Sequence, residues 1–222
     1  MKTFKSKKVT AFTLAEVLIT LGVIGVVSAM TIPAVIKNYQ EHVTVNKVKK
    51  FYSMISQAFL LSVKDNGYAD EWEVGNNRTP TTAIQIAKYI IPYLKIVKDC
   101  GIDSGCLNYT QVNSLDESHK ETNYDRQTEY YKVILSDGSY MWIRSSLELY
   151  CHTNDVGLSN TCGLIGYDIN GGKKPNTIGR DIFVFYITPN SIKTSPQICN
   201  LQSVGWGCAG YILQNGNMNY LH

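Results

Sequence analysis

The longest apolar stretch of the chain lies close to its amino terminus. Between Phe12 and Ile36, 25 residues carry a single ionisable side chain, that of Glu16. A helix of this length spans about 37 Å, which is enough to cross the hydrocarbon core of a bilayer. The pattern therefore predicts a transmembrane helix over residues 12–36.

Residues 37–66 continue the helical pattern with a different distribution of polarity. Apolar residues recur at spacings of three and four, and most positions between them are polar or charged. The apolar positions are Val45, Val48, Tyr52, Ile55, Phe59 and Val63. Asp65, Asn66 and Gly67 form a stop signal, because glycine suits the residue that follows a helix. We expect one helix over residues 12–66 whose second, amphipathic half packs on a globular head formed by residues 67–222.

Pro33 lies near the end of the apolar half of this helix. Proline has no backbone N–H, so the carbonyl of Ala29 loses its intrahelical partner. Because the helical pattern is strong on both sides, we predict that the helix bends at Pro33 and does not end there.

The head is predicted to begin with helical and irregular segments. Helical spacing over residues 81–97, interrupted at Pro92, indicates one or two short helices. Residues 108–129 are rich in polar and charged side chains and predict an exposed connection.

The strand signals of the head indicate an antiparallel sheet. Residues 130–144 form a predicted hairpin with Asp137 and Gly138 as a two-residue turn, and one face of it should lie on the amphipathic helix. Apolar runs at residues 164–169 and 181–187 predict two further strands, the second of them central. Strands that follow one long helix give an α+β fold, here with a small, mainly antiparallel sheet of three to five strands.

The positive charge of the chain is concentrated in residues 1–11, a basic leader. The formal net charge is +3, and the leader contains four lysines and no acidic residue. Without the leader the balance is 17 basic against 18 acidic side chains, or −1, so we expect no nucleic-acid partner. Lysines before a transmembrane helix mark its cytoplasmic end.

The sequence contains no recognisable catalytic constellation. A nucleophile elbow, a zinc-protease motif and a phosphate-binding loop are all missing. We therefore expect that the chain is not an enzyme.

The cysteines predict structural disulfides. The six residues fall into three local couples without a C-x-x-C motif: Cys100 and Cys106, Cys151 and Cys162, and Cys199 and Cys208. Cysteines that follow a membrane helix suggest an oxidising compartment. Fifteen pairings are open, and we favour the one between nearest neighbours. A zinc site is disfavoured because the four histidines show no ligand spacing.

The order of features at the amino terminus resembles the class III signal of type IV pilins and type II secretion pseudopilins. The basic leader ends at the small residue Ala11, and Phe12, Thr13 and Leu14 open the apolar run, with Glu16 as the fifth residue after Ala11. The resemblance implies that prepilin peptidase cleaves between Ala11 and Phe12 and that the new amino terminus is N-methylated. This chain departs from the family at Ala11, where the family usually has glycine.

The resemblance also implies a mechanical function. Subunits would polymerise through the apolar helix, and the Glu16 carboxylate would neutralise the amino terminus of a neighbouring subunit inside the apolar bundle. The implied partners are other pilin or pseudopilin subunits, prepilin peptidase and the inner-membrane assembly platform. The implied location is a single pass of the bacterial inner membrane, with the amino terminus cytoplasmic and the head extracytoplasmic. After assembly the filament would lie in the periplasm or at the cell surface.

A calcium ion is a second implication. The segment between the last two predicted strands opens with D-x-N-G, and Asp168, Asn170 and Asp181 offer the oxygen ligands that calcium prefers. Major pseudopilins carry calcium in a head loop, but Lys173 and Gly179 depart from the EF-hand pattern. The alternative, which the residues favour, is a glycine-rich connection whose Asx side chains cap its own turns.

Two other interpretations of the amino terminus remain. The apolar run could be an uncleaved signal anchor, which leaves Glu16 without a partner. It could instead be a conventional secretory signal cut after Ala29, which would release a disulfide-stabilised binding protein or enzyme. Within the favoured class, the sequence does not distinguish pilus from secretion pseudopilus, or a major from a minor subunit.

Overall fold

The computed structural model describes residues 13–108, 111–118, 120–121, 123–146, 151–155 and 157–222. The chain divides into two compact units, of which the first ends at His42 and the second comprises Val43–His222. Helix α1 (Leu14–Asn66) starts in the first unit and ends in the second. The predicted helix is thus confirmed from residue 14 to residue 66, and Gly67 follows it with a φ of 80°.

In the described residues of the second unit, the last part of α1 is combined with two shorter α-helices and a six-stranded antiparallel sheet. The helices are α2 (Pro80–Ile90) and α3 (Cys208–Asn215), with single 3₁₀ turns at Ala69–Glu71, Ile91–Tyr93 and Asn219–Leu221. The strands in chain order are β1 (Ile96–Gly101), β2 (Val112–Asn113), β3 (Lys120–Glu121), β4 (Tyr131–Leu135), β5 (Tyr140–Ser145), β6 (Thr153–Asp155), β7 (Leu158–Thr161), β8 (Gly163–Asp168), β9 (Ile182–Thr188) and β10 (Ser191–Lys193). The large sheet has the order β1-β4-β5-β8-β9-β10, and β2-β3 and β6-β7 form two small ribbons. The α+β prediction is confirmed.

The sheet separates two hydrophobic clusters, one on each face. On one face the second half of α1 packs against the strands, and Phe51 stacks on Tyr167 with ring centroids 3.8 Å apart. On the other face Trp142 packs among residues of β8 and β9, over Gly166, where a side chain would collide with the indole ring. Burial on both sides explains why β8 and β9 are apolar without alternation.

Several sequence predictions for the head need correction. The main sheet has six strands rather than three to five, because β1 and β10 carried no recognisable alternation. The predicted helical region after residue 81 ends before Leu94, and strand β1 follows it. The helix does not continue because Pro92 has no backbone N–H to donate to the preceding turn. Strand β9 is internal, but it lies next to the edge strand β10 and is not central.

The hairpin of β4 and β5 is confirmed, but its turn is longer than predicted. Leu135 pairs with Ser139 through an N–H···O bond of 2.9 Å, which leaves residues 136–138 as a three-residue loop. Asp137 accepts a bond of 3.1 Å from the backbone N–H of Ser139, and Gly138 adopts a φ of 82°. This is a turn followed by a left-handed glycine bulge, which the dipeptide alone did not distinguish from a two-residue turn.

The predicted exposed connection is in part folded and buried. Val112, Leu115 and Asp125 are buried, and the Asp125 carboxylate accepts backbone N–H bonds from Gly105, Cys106 and Leu107. The ammonium group of Lys132, a fully buried residue, donates to the carbonyls of Ile102, Asp125 and Gln127. Two buried charges therefore organise a segment whose composition indicated solvent exposure.

Candidate functional site

The amino-terminal half of α1 exposes its apolar side chains. Its most apolar window of 18 residues has a mean hydropathy of 2.2, and none of that window is buried. Leu14 is 78% exposed and Met30 75% exposed, and the large apolar residues between them are exposed as well. Exposing one such side chain instead of burying it costs about 1.5–3 kcal/mol. The segment by length and composition could cross a membrane, and no described residue of this chain covers it.

Thr13 and Glu16 form a reciprocal cap at the start of α1. The Thr13 backbone N–H and hydroxyl each donate to Oε2 of Glu16 at 2.8 Å, and the Glu16 N–H donates to the Thr13 hydroxyl at 3.3 Å. This is a capping box, in which a threonine precedes the helix and a glutamate lies three residues later. The sequence T-x-x-E carried this signal, and the sequence prediction, which considered only the charge of Glu16, missed it.

The other predicted residues of this segment have different outcomes. Ala11 and Phe12, the predicted processing and assembly residues, lie outside the described residues. Pro33 lies inside α1, and the helix continues beyond it to Asn66.

Three disulfides join the six cysteines in the nearest-neighbour pattern. Cys100–Cys106 closes the loop after β1, Cys151–Cys162 encloses the β6-β7 ribbon, and Cys199–Cys208 holds the segment before α3. The Cα atoms of the three pairs are 5.8, 4.1 and 4.8 Å apart. Each bond restrains a local loop of the second unit.

The predicted calcium ligands lie together, and they act as caps of their own loop. Asp168 accepts backbone N–H bonds from Asn170, Gly171 and Gly172 at 2.8–3.1 Å. Asp181 accepts from the backbone N–H groups of Asn176 and Thr177 and from the amide side chain of Asn170. The favoured interpretation of this segment, a connection capped by Asx side chains, describes these contacts.

The same loop retains features that a cation would satisfy. The side-chain oxygens of Asn170 and Asn176 are buried and have no hydrogen-bond partner. Burial raises the pKa of Asp181 to about 6, and the charge of Asp168 contributes to the rise. Within the described residues, no group of three or more His, Cys, Asp or Glu side chains could hold a metal ion.

Comparison with known proteins identifies a family whose function is unknown. A family model matches residues 34–211, which are 178 of the 222 residues. The chain belongs to DUF6613, a family of unknown function. The DUF6613 match covers more than half of α1 and the head into α3, and it begins after most of the apolar segment. No curated protein and no solved structure matches the chain.

Proposed function

We propose that this DUF6613 protein is a prepilin-like structural subunit, which assembles into a type II secretion pseudopilus or a type IV pilus. The observation that carries the proposal is the apolar half of α1. It is long, exposed and capped at Thr13 and Glu16, and it belongs to the same helix that supplies Val48, Phe51 and Ile55 to the core of the head. A bilayer before assembly and neighbouring subunits after assembly would bury its side chains.

Glu16 has a defined chemical role in this proposal. Prepilin peptidase cleaves between Ala11 and Phe12, and the new N-methylated amine is cationic. An acidic residue within a membrane costs about 2.5–3.5 kcal/mol, so a partner that neutralises it stabilises the assembled state. The cap uses Oε2 of Glu16, and a carboxylate has room for about four hydrogen bonds, so Oε1 can accept the amine of a neighbouring subunit.

The disulfides support an extracytoplasmic head. Disulfides persist in oxidising compartments, and all three lie in the second unit. With the four leader lysines on the cytoplasmic side, the chain would cross the bacterial inner membrane once. Other subunits, prepilin peptidase and the inner-membrane assembly platform are then its partners.

The rival function is a secreted binding protein or enzyme released by cleavage after Ala29. One observation favours it: the buried positions of α1 begin at Thr44, so the core of the head needs no residue before the cut. In this case the apolar segment would be a removable signal.

The amino terminus of the mature protein separates the two functions. The protein should be purified from the membranes and from the periplasm and culture medium of a bacterium that has prepilin peptidase, and its terminal peptide analysed by mass spectrometry. Our proposal predicts N-methylated Phe12. A mature chain that begins at Met30 would establish the secreted alternative, and an intact Met1 would establish an uncleaved anchor.

Calcium binding by Asp168, Asn170 and Asp181 stays a prediction. The two unpartnered amide oxygens of the loop support it, and the N–H bonds that both carboxylates already accept oppose it. The residues fit a hard, oxygen-ligated cation only in part, and no step of the proposed function depends on one.

A further inference from the structure

Two arginines from different parts of the head converge on one carboxylate. Arg78 lies in the loop before α2 and Arg144 lies in β5, and their Nη2 atoms are 3.6 Å and 3.8 Å from Oδ2 of Asp155 in β6. Both distances exceed that of a hydrogen bond. One carboxylate oxygen thus faces two guanidinium groups without a direct bond to either.

The scaffold holds each of these groups in place. The carbonyl of Asn77, next to Arg78, accepts bonds from Thr82 at 2.8 Å and from Ser145 at 3.2 Å. Arg144 is only 6% exposed, and its Nε donates to the hydroxyl of Tyr130 at 3.1 Å. The disulfide Cys151–Cys162 encloses the ribbon that carries Asp155. The cluster is built from three separate elements, each fixed by its own contacts.

Donors in this cluster are left without acceptors. Nε of Arg78 is buried without a hydrogen-bond partner, and so is the hydroxyl of Tyr186, a residue with an exposure of 0%. Arg144, Leu164 and Tyr186 are successive partners across β5, β8 and β9, so Arg144 and Tyr186 belong to one row of the sheet. Burial raises the pKa of Tyr186, and Asp155, Arg144 and Arg78 are among the charges that act on it. The orphan hydroxyl therefore belongs to the arginine cluster.

At close range the cluster has more positive than negative groups, and its Arg78 and Asp155 side chains are partly exposed to solvent. Within 4 Å, two guanidinium groups face one carboxylate and leave one positive charge, because Asp155 is the only acidic side chain of the described residues that lies this close to either arginine. Glu129 acts on Arg78 from a greater distance. Burial lowers the pKa of Arg78, and the charge of Arg144 lowers it further. The side chains of Arg78 and Asp155 are 29% and 25% exposed, so a small ligand can reach them.

We propose that Arg78, Arg144 and Tyr186 bind a small monocarboxylate. A ligand with a single negative charge would balance the one positive charge that Asp155 leaves on the two arginines. A planar carboxylate also accepts paired N–H bonds from guanidinium groups. The Tyr186 hydroxyl supplies one further donor. This site lies in the head and is independent of the proposed assembly function.

Anion titration of the full chain in detergent tests the site. The ¹⁵Nε–H resonances of the arginines are followed while chloride is replaced by formate or acetate at constant ionic strength and pH 7. We expect saturable shifts at Arg78 and Arg144, and an affinity at least about tenfold weaker in Arg78→Gln. Tyr186→Phe should weaken binding while leaving the unliganded protein as stable or more stable, because it removes an unpaired buried hydroxyl.

Arg180→Gln is the matched control, because Arg180 is an exposed arginine of the head and lies outside the cluster. It should bind formate as the wild type does. The proposal is overturned if no saturable shift occurs, or if Arg78→Gln and the wild type bind equally. Tighter binding of sulfate or phosphate than of formate would overturn the carboxylate assignment and identify an adventitious ion site only.

Discussion

At the scale of single residues, several buried charged side chains of the head are paired with backbone groups. Lys132 donates to three carbonyls, and Asp125, Asp168 and Asp181 each accept backbone N–H bonds. Such partners come from loops whose positions a single sequence does not reveal. This explains why the burial of Lys132 and Asp125 was missed.

Asp181 should make stability depend on pH. Its pKa is about 6 in the folded state against an ordinary value of 3.8, because of burial and the adjacent Asp168. The folded state therefore binds more protons between about pH 4 and pH 6, and stability should fall as the pH rises through this window. The upper bound of the loss is about 3 kcal/mol.

Asp181→Asn removes this titration. The variant should be less stable, because an amide NH₂ faces backbone N–H donors, but its stability deficit should shrink as the pH rises from 4 to 6.5. Unfolding at several pH values measures the difference between wild type and variant, which cancels the other titrating groups. A pH-independent difference would contradict the raised pKa.

Calcium tests the same loop in another way. If the backbone N–H groups alone satisfy the carboxylates of Asp168 and Asp181, the melting temperature of the EGTA-treated protein should not change when calcium chloride is added. A saturable increase that Asp181→Asn abolishes would instead establish calcium binding at this loop.

At the scale of elements, the helices and strands with strong apolar periodicity were predicted from the sequence. The edge strands of the sheet were not. The end of α1 at Asn66, before Gly67, and strands β8 and β9 followed from stop signals and apolar runs. Strand β1 was missed because three of its six residues are exposed and only Cys100 is buried. An edge strand with one neighbour needs no apolar alternation, and its sequence then resembles a loop.

The contact between α1 and the sheet should dominate the stability of the head. Phe51 is buried and stacks on Tyr167, so Phe51→Ala should destabilise the protein by about 3–5 kcal/mol. Leu60→Ala is the control on the same helix, because Leu60 is 61% exposed, and it should change stability by less than about 0.5 kcal/mol. Denaturant unfolding measures both variants. Equal losses would show that the sheet does not pack on α1 through Phe51.

At the scale of the whole molecule, the two units differ in whether their apolar side chains are buried or exposed. The head buries its own on both faces of a sheet, whereas the described part of the first unit exposes them along one helix. The sequence predicted this division from a run of apolar residues and an amphipathic segment. It did not predict the Thr13–Glu16 cap, which gives Glu16 a local structural role besides its proposed charge pairing.

The central claim is that Glu16 acts between subunits through its charge. Glu16→Gln retains an oxygen that can accept both Thr13 bonds but has no charge, whereas Thr13→Val removes the hydroxyl of the cap and retains the charge. Polymer recovered from cells that contain the assembly machinery is measured for each variant, with the melting temperature of the head as the control for folding. A charge-assisted bond contributes about 1.5–3 kcal/mol, so Glu16→Gln should reduce polymer by at least about tenfold. Thr13→Val should assemble at a level close to that of the wild type. The account is contradicted if Glu16→Gln assembles as the wild type does, or if Thr13→Val fails as completely as Glu16→Gln.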